Sequence, residues 1–245
     1  DQWAFLASIL PMPAHDIEPT ILRATGNAHP LDVTFIDEED QKEPWKRSAS
    51  VSKKLVGPMP KSLTVTQANL SIYNAAVANV QFSGMGTTIV VGVFEPSRIV
   101  LAHVGDSRCY LLRGHRLTQL TRDHSLLQEQ LDAGLITQDL AKIATHKNLV
   151  TRALGVDPGV LVDVQECVPR EGDVYLMCSD GLSDMVDDDT VQALLDVPVP
   201  LAERAQSLVR AANTAGGRDN ISVILAQAKA KSGNLGFFSR VLRKN

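Results

Sequence analysis

The stretch of sequence that decides the fold lies between residues 88 and 113 and reads TIVVGVFEPSRIVLAHVGDSRCYLLR. It contains three segments rich in Val, Ile and Leu, separated by short turns at 95–97 and 105–106. Segments of this composition and length are typical of β-strands. Because links this short join only antiparallel neighbours, the stretch predicts three consecutive antiparallel strands.

Further strands and helices are predicted on both sides of this stretch. Apolar runs indicate strands, and apolar residues at helical spacing indicate amphipathic helices. Region 10–31 contains four prolines and little periodicity, which predicts a loop. Strands, then helices, then strands again favour an α+β fold, with antiparallel sheets covered by helices. The predicted strands are 3–9, 32–36, 88–94, 98–104, 107–113, 160–168, 173–178 and 221–227, and the predicted helices are 65–80, 125–133, 190–195 and 201–214.

Composition argues against several classes of protein. The 245 residues carry a net charge of −4, which provides no positive field for nucleic acid. Three cysteines without CxxC spacing argue against a disulfide framework or a zinc site, and we expect them to be buried in a reducing cytosol. No apolar run approaches the roughly 18–20 residues that cross a bilayer, and the first residues form no signal-peptide pattern. We therefore expect a cytoplasmic protein and, since the chain begins at Asp1 without a Met, a domain of a longer one.

Four aspartates lie in turns near predicted strands, beside or close to Gly or Ser: Asp106, Asp123, Asp180 and Asp219. Taken singly, such an Asp is ordinary turn chemistry, because its side chain caps nearby backbone N–H groups. Asp180, however, follows the wholly apolar segment VYLMC, and a carboxylate buried without a partner is very costly. Asp219 directly precedes the apolar segment 221–227, so these two carboxylates can meet where the strands pair.

A cluster of carboxylates requires compensation, because the groups repel and raise one another's pKa unless cations neutralise them. Mg²⁺ and Mn²⁺ prefer oxygen ligands, whereas zinc and copper prefer sites that contain nitrogen or sulfur. No His and Cys set at zinc spacing competes for this role. The sequence therefore predicts a site for hard divalent cations.

Six short motifs follow one another in a fixed order: GMGTT (84–88), HVGDSR (103–108), RDHS (122–125), NLVTRALG (148–155), CSDGL (178–182) and GGRDNISV (216–223). Together they resemble the motif series of the PPM family of metal-dependent protein serine/threonine phosphatases, with the bacterial branch as the nearest likeness. The resemblance extends from about residue 65 to 227, roughly two-thirds of the chain. One such motif alone would be a weak signal, but six in the family order are a strong one.

The resemblance implies a β-sandwich of two antiparallel sheets flanked by helices, with a metal cluster at one edge. It implies that Asp180 and Asp219 are metal ligands and that Asp123 helps to hold a third, weaker metal. Asp37, which follows the segment DVTFI, is the candidate for the bridging ligand. The predicted catalytic residues are thus Asp37, Asp180 and Asp219, and the predicted ligands of two or three Mn²⁺ or Mg²⁺ ions are these three and Asp123.

The family likeness also gives roles to neighbouring residues. Asp106 corresponds to a structural position, Thr87 and Thr88 to the strand start behind the site, and Asn220 to a residue that orients the last ligand. Residues 134–155 correspond to the flap that borders the substrate groove. In such a site, two cations roughly 3.5–4 Å apart lower the pKa of a shared water, which then attacks phosphorus directly.

The first 64 residues depart from the family pattern. Glu38, Glu39 and Asp40 stand where the family has glycines, which allow a backbone carbonyl to approach a metal closely. Lys42 lies near the place of the family's general-acid His, and the phosphate-binding Arg has no counterpart. Losing a positioned acid typically costs on the order of 10²–10⁴-fold in rate. Two hypotheses therefore remain: a phosphatase, active or weakly active on phosphoserine and phosphothreonine proteins, and a degenerate module that serves as a binding or regulatory scaffold.

The predicted domain covers residues 1–228, and 229–245 form a basic tail or linker. The expected partner is a phosphorylated protein substrate, in opposition to a serine/threonine kinase, and nucleic acid is not expected. Phe237, Phe238, Val241 and Leu242 interrupt the basic residues of the tail, which allows a weak membrane-surface association as an alternative to an ordinary terminal segment.

Overall fold

The computed structural model describes the backbone of residues 2–9, 22–24, 31–37, 65–94, 98–143 and 149–229, and the side chains from residue 65 onward within these ranges except 138, 142 and 143. In this part of the chain, ten strands and six α-helices follow one another. The strands are β1 (Gln2–Ile9), β2 (Leu22–Ala24), β3 (Leu31–Asp37), β4 (Thr88–Phe94), β5 (Ile99–Val104), β6 (Arg108–Arg113), β7 (Arg116–Gln119), β8 (Asp163–Cys167), β9 (Val174–Cys178) and β10 (Ser222–Ala228). The helices are α1 (Val65–Ala78), α2 (Leu126–Asp132), α3 (Gln138–Ile143), α4 (Asp180–Ser183), α5 (Asp188–Leu195) and α6 (Leu201–Thr214), and a short 3₁₀ helix spans Val80–Phe82.

The strands form two five-stranded antiparallel sheets. The first sheet has the order β2-β1-β4-β5-β8, and the second has the order β3-β10-β9-β6-β7. Successive side chains of a strand point to opposite faces, so a strand covered on both sides is apolar throughout. The segment VYLMC of β9 meets this condition, because all five of its residues are buried in the middle of the second sheet.

The two sheets pack face to face. Their facing residues form one apolar cluster with contributions from β4 and β5 on one side and from β6, β9 and β10 on the other. Within it, the ring of Phe94 meets the ring of Tyr175 edge-on, with centroids 5.6 Å apart and an interplanar angle of 81°. Alternate residues of the same strands, such as Tyr110 and Leu112 of β6, point to the outer face of the sheet and belong to a second buried apolar cluster.

Helices cover the outer faces of the sandwich. Helices α4, α5 and α6 lie on the second sheet, where α6 buries Leu201, Ala205, Leu208 and Ala212 along one side. Helix α1 lies on the first sheet, where Ile72 packs against the cluster that contains Ile89 and Leu154. The predicted α+β sandwich of two antiparallel sheets between helices is therefore confirmed.

Several local predictions were wrong or incomplete. The short turn at 105–106 does not join antiparallel neighbours as predicted, because β5 belongs to the first sheet and β6 to the second. Helices α3 and α4 were not predicted. The segment 10–31, predicted to be a loop, contains strand β2, whose three residues are too few to produce a periodic pattern. Strand β7 was not predicted, because its sequence RLTQ is mostly polar and it lies half-exposed at the edge of the second sheet. It is joined to β6 by Gly114 and His115, which both have positive φ angles, 54° and 65°, as a two-residue hairpin requires.

The described helices are short relative to a bilayer. None of them combines the length and the apolar character that a membrane-spanning helix needs. The C-terminal tail beyond Lys229, to which the membrane-surface alternative refers, lies outside the described residues.

Candidate metal centre

The predicted ligands converge because three neighbouring strands meet one edge of the second sheet. Asp37, the last residue of β3, pairs with Ser222 at the start of β10. Cys178, the last residue of β9, pairs with Val223 of β10. In an antiparallel sheet, the end of one strand lies beside the start of the next, so Asp37, Asp180 and Asp219 all belong to this edge. The side chain of Asp37 lies outside the described part.

Two further strands bring their ends to the same edge. Arg108, at the start of β6, also pairs with Cys178, so the turn that contains Asp106 lies beside the end of β9. Strand β7 ends at Gln119 on the same side, and Asp123 follows it by four residues. All five aspartates that the sequence singled out therefore belong to one edge of one sheet.

A buried serine joins the two loops that carry the central carboxylates. The hydroxyl of Ser179 donates to the carbonyl oxygen of Asn220 at 3.0 Å and accepts from the N–H of Ser222 at 3.0 Å. Gly181 lies so close to the Asn220 carbonyl that a Cβ at this position would overlap it. These contacts hold the start of α4, where Asp180 lies, against the turn that contains Asp219.

The carboxylates at this edge interact electrostatically. Burial raises the pKa of Asp180, and repulsion from Asp219 and then Asp184 adds to the effect. Burial also raises the pKa of Asp106 to about 6, with repulsion from Asp180 next in size and further contributions from Asp123 and Asp184. The edge thus holds an excess of negative charge that favours cations.

The donor set fits hard divalent cations. Among the described residues, the carboxylate of Asp180 interacts with those of Asp219 and Asp184, and Mg²⁺ or Mn²⁺ takes oxygen ligands of this kind. The Asp219 carboxylate is oriented by the Asn220 N–H, which donates to its Oδ1 at 2.7 Å. This contact comes from the backbone of Asn220, so the predicted orienting role of its side chain stays a prediction.

Asp184 is a residue that sequence analysis missed. It caps the C-terminus of α4, and its N–H donates to the Asp180 carbonyl at 2.8 Å. The signal was present in the sequence, because residues four apart lie on the same side of a helical turn. Asp184 was overlooked because no strand precedes it.

Asp123 differs from the other predicted ligands. Its carboxylate forms a salt bridge with Arg108, with Nη2 and Oδ2 2.7 Å apart. Gln119 donates to the other carboxylate oxygen at 2.9 Å. Sequence analysis gave Arg108 no role, because the pairing joins strand β6 to a turn 15 residues further along the chain.

Next to Asp123 lies a cluster formed by His103, His124 and Asp163, whose nearest ligand atoms are all within 4.8 Å of one another. The two imidazole rings stack with centroids 4.7 Å apart. His124 Nδ1 accepts from the Gly105 N–H at 3.0 Å, and Nε2 faces both Asp163 Oδ2 at 3.2 Å and Arg152 Nη1 at 3.0 Å. Burial lowers the pKa of His124, and the charges of His103 and Arg152 lower it further, against the opposing effect of Asp163.

Arg152 supplies the positive charge of this cluster. Its Nη1 donates to Asp163 Oδ1 at 2.9 Å and to the Leu161 carbonyl at 3.2 Å. A guanidinium in this position already pairs with the carboxylate, so the cluster anchors the chain. It ties the segment after the predicted flap to the turn that contains Asp123.

The predicted flap, 134–155, contains α3, and residues 144–148 of it lie outside the described part. Its return limb, residues 149–155, is held by backbone hydrogen bonds in both directions between Thr87 and Leu154, at 3.0 and 2.7 Å. Buried Asn69 of α1 continues this attachment, because its Oδ1 accepts from the Gly155 N–H at 2.8 Å. Thr88, beside Thr87, has its hydroxyl 2.9 Å from that of Ser107 in the turn that contains Asp106. Both threonines therefore support the edge from behind, where they were predicted to lie.

Comparison with known proteins agrees with this architecture. A family model described as Protein phosphatase 2C matches residues 24–130. The chain is 41% identical over 164 residues to the serine/threonine phosphatase Stp of Listeria monocytogenes, a match that covers 67% of this chain and 65% of that protein. The chain thus spans somewhat less than two-thirds of the length of that relative.

Solved structures give the same result. The serine/threonine phosphatase of S. agalactiae superposes with a TM-score of 0.63 at 34% identity, over 67% of both chains. The catalytic domain of the serine/threonine protein phosphatase PstP, in complex with two manganese ions, superposes with a TM-score of 0.66 at 28% identity, over 94% of this chain and all of the other.

A sandwich of two antiparallel sheets between helices, with carboxylates gathered at one edge, defines the class of metal-dependent phosphatase folds. Within that class, the chain belongs to the protein phosphatase 2C family, as its motif series predicted.

Proposed function

We propose that this protein is a metal-dependent phosphatase that removes phosphate from phosphoserine and phosphothreonine in proteins. The observation that supports this most directly is the gathering of Asp106, Asp180, Asp184 and Asp219 at one sheet edge, where burial and mutual repulsion raise the pKa of Asp180. A protein keeps such repulsion only where a cation or another partner offsets it.

Asp180 and Asp219 would hold the cations, and Asp37 would join them from β3 as the bridging ligand. When bound, two Mn²⁺ or Mg²⁺ ions would lower the pKa of a water and offset charge on the phosphoryl oxygens. The chain's own residues set the geometry. Ser179 fixes the loop of Asp219 against that of Asp180, and the Asn220 N–H fixes the Asp219 carboxylate at 2.7 Å.

The identity and number of the ions remain part of this proposal. The manganese-bound PstP structure supports Mn²⁺ as a candidate, and the all-oxygen ligand set is equally suited to Mg²⁺. We favour two ions, since Asp123 is engaged by Arg108.

The substrate would be a phosphorylated protein, the product of a serine/threonine kinase. The cytoplasmic location, the domain limits 1–228 and 229–245, and the membrane-surface alternative for the tail remain predictions. The acidic run that follows Asp37 and includes Lys42 lies outside the described residues, so the departures from the family pattern there are compared by sequence alone.

The alternative of a degenerate scaffold rests on those departures. Nothing among the described residues favours it, because the carboxylates at the sheet edge are present and interact electrostatically with Asp180. The relatives reported above are named as phosphatases. The enzyme is therefore the function that we propose.

The test is Mn²⁺-dependent hydrolysis of a phosphothreonine peptide and of an aryl phosphate. We expect activity that requires Mn²⁺. It should fall by at least about 10²-fold in Asp180→Asn, because that variant loses a proposed metal ligand. Asp189→Asn, an exposed aspartate of α5, is the matched control and should retain wild-type activity. A folded wild-type protein that neither binds Mn²⁺ nor hydrolyses either substrate would leave the scaffold as the function.

A further inference from the structure

The acceptor capacity of Asp123 is taken up by protein donors. Arg108 Nε lies 3.0 Å from both carboxylate oxygens, and Nη2 lies 2.7 Å from Oδ2. Gln119 Nε2 adds a donor to Oδ1 at 2.9 Å. An ionised carboxylate offers about four lone-pair positions, and three N–H groups, one of them shared between both oxygens, occupy most of them.

The ion pair is also shielded and held from its far side. Only 10% of the Asp123 side chain and 23% of the Arg108 side chain are exposed. Arg108 Nη1 donates to the Tyr110 hydroxyl at 3.0 Å, and that hydroxyl donates to Asp188 Oδ1 at 3.1 Å. Burial alone would lower the pKa of Arg108, but its hydrogen bonds to Asp123, together with the charges and hydrogen bond of Tyr110 and Asp123, outweigh this and raise it.

A cation at Asp123 would have to displace one of these donors. Displacing Arg108 from Asp123 would leave its guanidinium without a counter-ion in a mostly buried place, and breaking a buried pair in this way is strongly unfavourable. Removing Gln119 would leave the cation beside a fixed positive charge. The residues around Asp123 therefore do not fit a resident metal as they stand.

We propose that Asp123 is the counter-ion of Arg108 and not a metal ligand in this chain, so that Arg108 supplies the positive charge that a third cation would otherwise bring. This inference departs from the role that the motif resemblance implied for Asp123. It rests on the proposed function, because it concerns the composition of the same site. Arg108 is then a positioning residue that fixes the turn after β7 against the start of β6.

The experiment is a count of bound Mn²⁺ by titration calorimetry on the full chain, with wild type, Asp123→Asn, Asp180→Asn and the control Asp189→Asn. We expect Asp123→Asn to bind the same number of Mn²⁺ ions as wild type and as the control, while its melting temperature falls. Loss of one ion in Asp123→Asn would overturn the inference. A structural role alone moves the melting temperature but not the ion count.

A second variant covers the case in which Asp123→Asn does not fold. Replacing the whole pair, Arg108→Met with Asp123→Leu, removes both charges together and avoids an unpaired buried ion. We expect this double variant to keep the wild-type ion count, and one ion fewer would overturn the inference. The two proposals fail separately. If Asp180→Asn binds as many ions as wild type, the proposed function fails, whereas loss of an ion only on changing Asp123 contradicts this inference alone.

Discussion

The hydroxyl of Ser179 donates to the carbonyl oxygen of Asn220 at 3.0 Å, and this bond joins the two loops that hold Asp180 and Asp219. The same hydroxyl accepts from the Ser222 N–H, and the Ser179 residue is 2% exposed. Two polar backbone groups therefore depend on one buried side chain. The relative position of the two central carboxylates depends on it as well.

Ser179→Ala should destabilise the protein and weaken its metal site. The Asn220 carbonyl and the Ser222 N–H would lose their partner, which typically costs about 1–3 kcal/mol of the free energy of unfolding. Urea denaturation in EDTA measures this loss, and calorimetry measures the weaker Mn²⁺ binding. Ser71→Ala, which removes an exposed hydroxyl on α1, is the control and should change neither quantity.

Gly181→Ala should be damaging because of a backbone neighbour. An added Cβ would overlap the Asn220 carbonyl, which cannot rotate away as a flexible side chain could. Overpacking of this kind typically costs about 1–3 kcal/mol, and here it would also push the Asp219 turn away from Asp180. The melting temperature and the affinity for Mn²⁺ should both decrease.

The matched control for that variant is Gly159→Ala, where an added Cβ meets nothing within 4 Å. Equal stability in the two alanine variants would show that the close approach of Gly181 to Asn220 does not constrain the site.

Asn69→Asp should loosen the return limb of the flap. The Asn69 amide nitrogen donates to the carbonyls of Asp157 and Pro158 at 2.9 and 3.2 Å, and its oxygen accepts from the Gly155 N–H. A carboxylate can accept but not donate, so it would face two carbonyl oxygens in a buried site. We expect a loss of about 2–4 kcal/mol in the free energy of unfolding.

Hydrogen exchange of the Gly155 amide and urea denaturation test this expectation. Gln67→Glu introduces the same charge at an exposed position of α1 and should have little effect. A stable Asn69→Asp protein with unchanged exchange at Gly155 would contradict the role of Asn69 as the anchor of this segment.

Stability of the metal-free protein should fall as the pH rises towards neutrality. Burial, followed by repulsion from Asp180, raises the pKa of Asp106 to about 6. Below about pH 4 the carboxyl is protonated in both the folded and the unfolded chain. Between about pH 4 and pH 6 the unfolded chain loses its proton first, so the free energy of unfolding decreases, and above about pH 6 the decrease is complete.

Asp106→Asn removes the part of this dependence that Asp106 contributes, while the raised pKa of Asp180 keeps its own part. In EDTA at about pH 7.5, the variant should be more stable than wild type by about 1–2 kcal/mol, after allowance for partial screening by solvent. Near pH 4 the two proteins should unfold at the same urea concentration. A constant difference across this range would mean that the Asp106 carboxyl does not titrate with a raised pKa.

Most strands could be predicted from the sequence, because the apolar pattern of a strand is a local property. The run 88–113 contains strands β4, β5 and β6, as its apolar segments predicted. Strands β4 and β5 pair as antiparallel neighbours, but the prediction that β6 would pair with β5 was wrong, because the turn at 105–106 carries the chain across to the second sheet. The edge strands β2 and β7 were missed, because a short or half-exposed strand need not be apolar. The convergence of Asp180 and Asp219 was predictable, because each adjoins a mostly apolar strand and such strands tend to pair at the centre of a sheet.

What the sequence by itself determined is therefore the sandwich, the family and the acidic edge, all of which follow from local periodicity and ordered motifs. Only the tertiary structure decided which partner each carboxylate has. Arg108 and Asp123 lie 15 residues apart and meet because β6 and β7 form a hairpin, while Asp184 joins the cluster through the turn of α4. Sequence spacing does not encode such distances, since the electrostatic energy of a charged group depends on the separation and burial that folding alone creates.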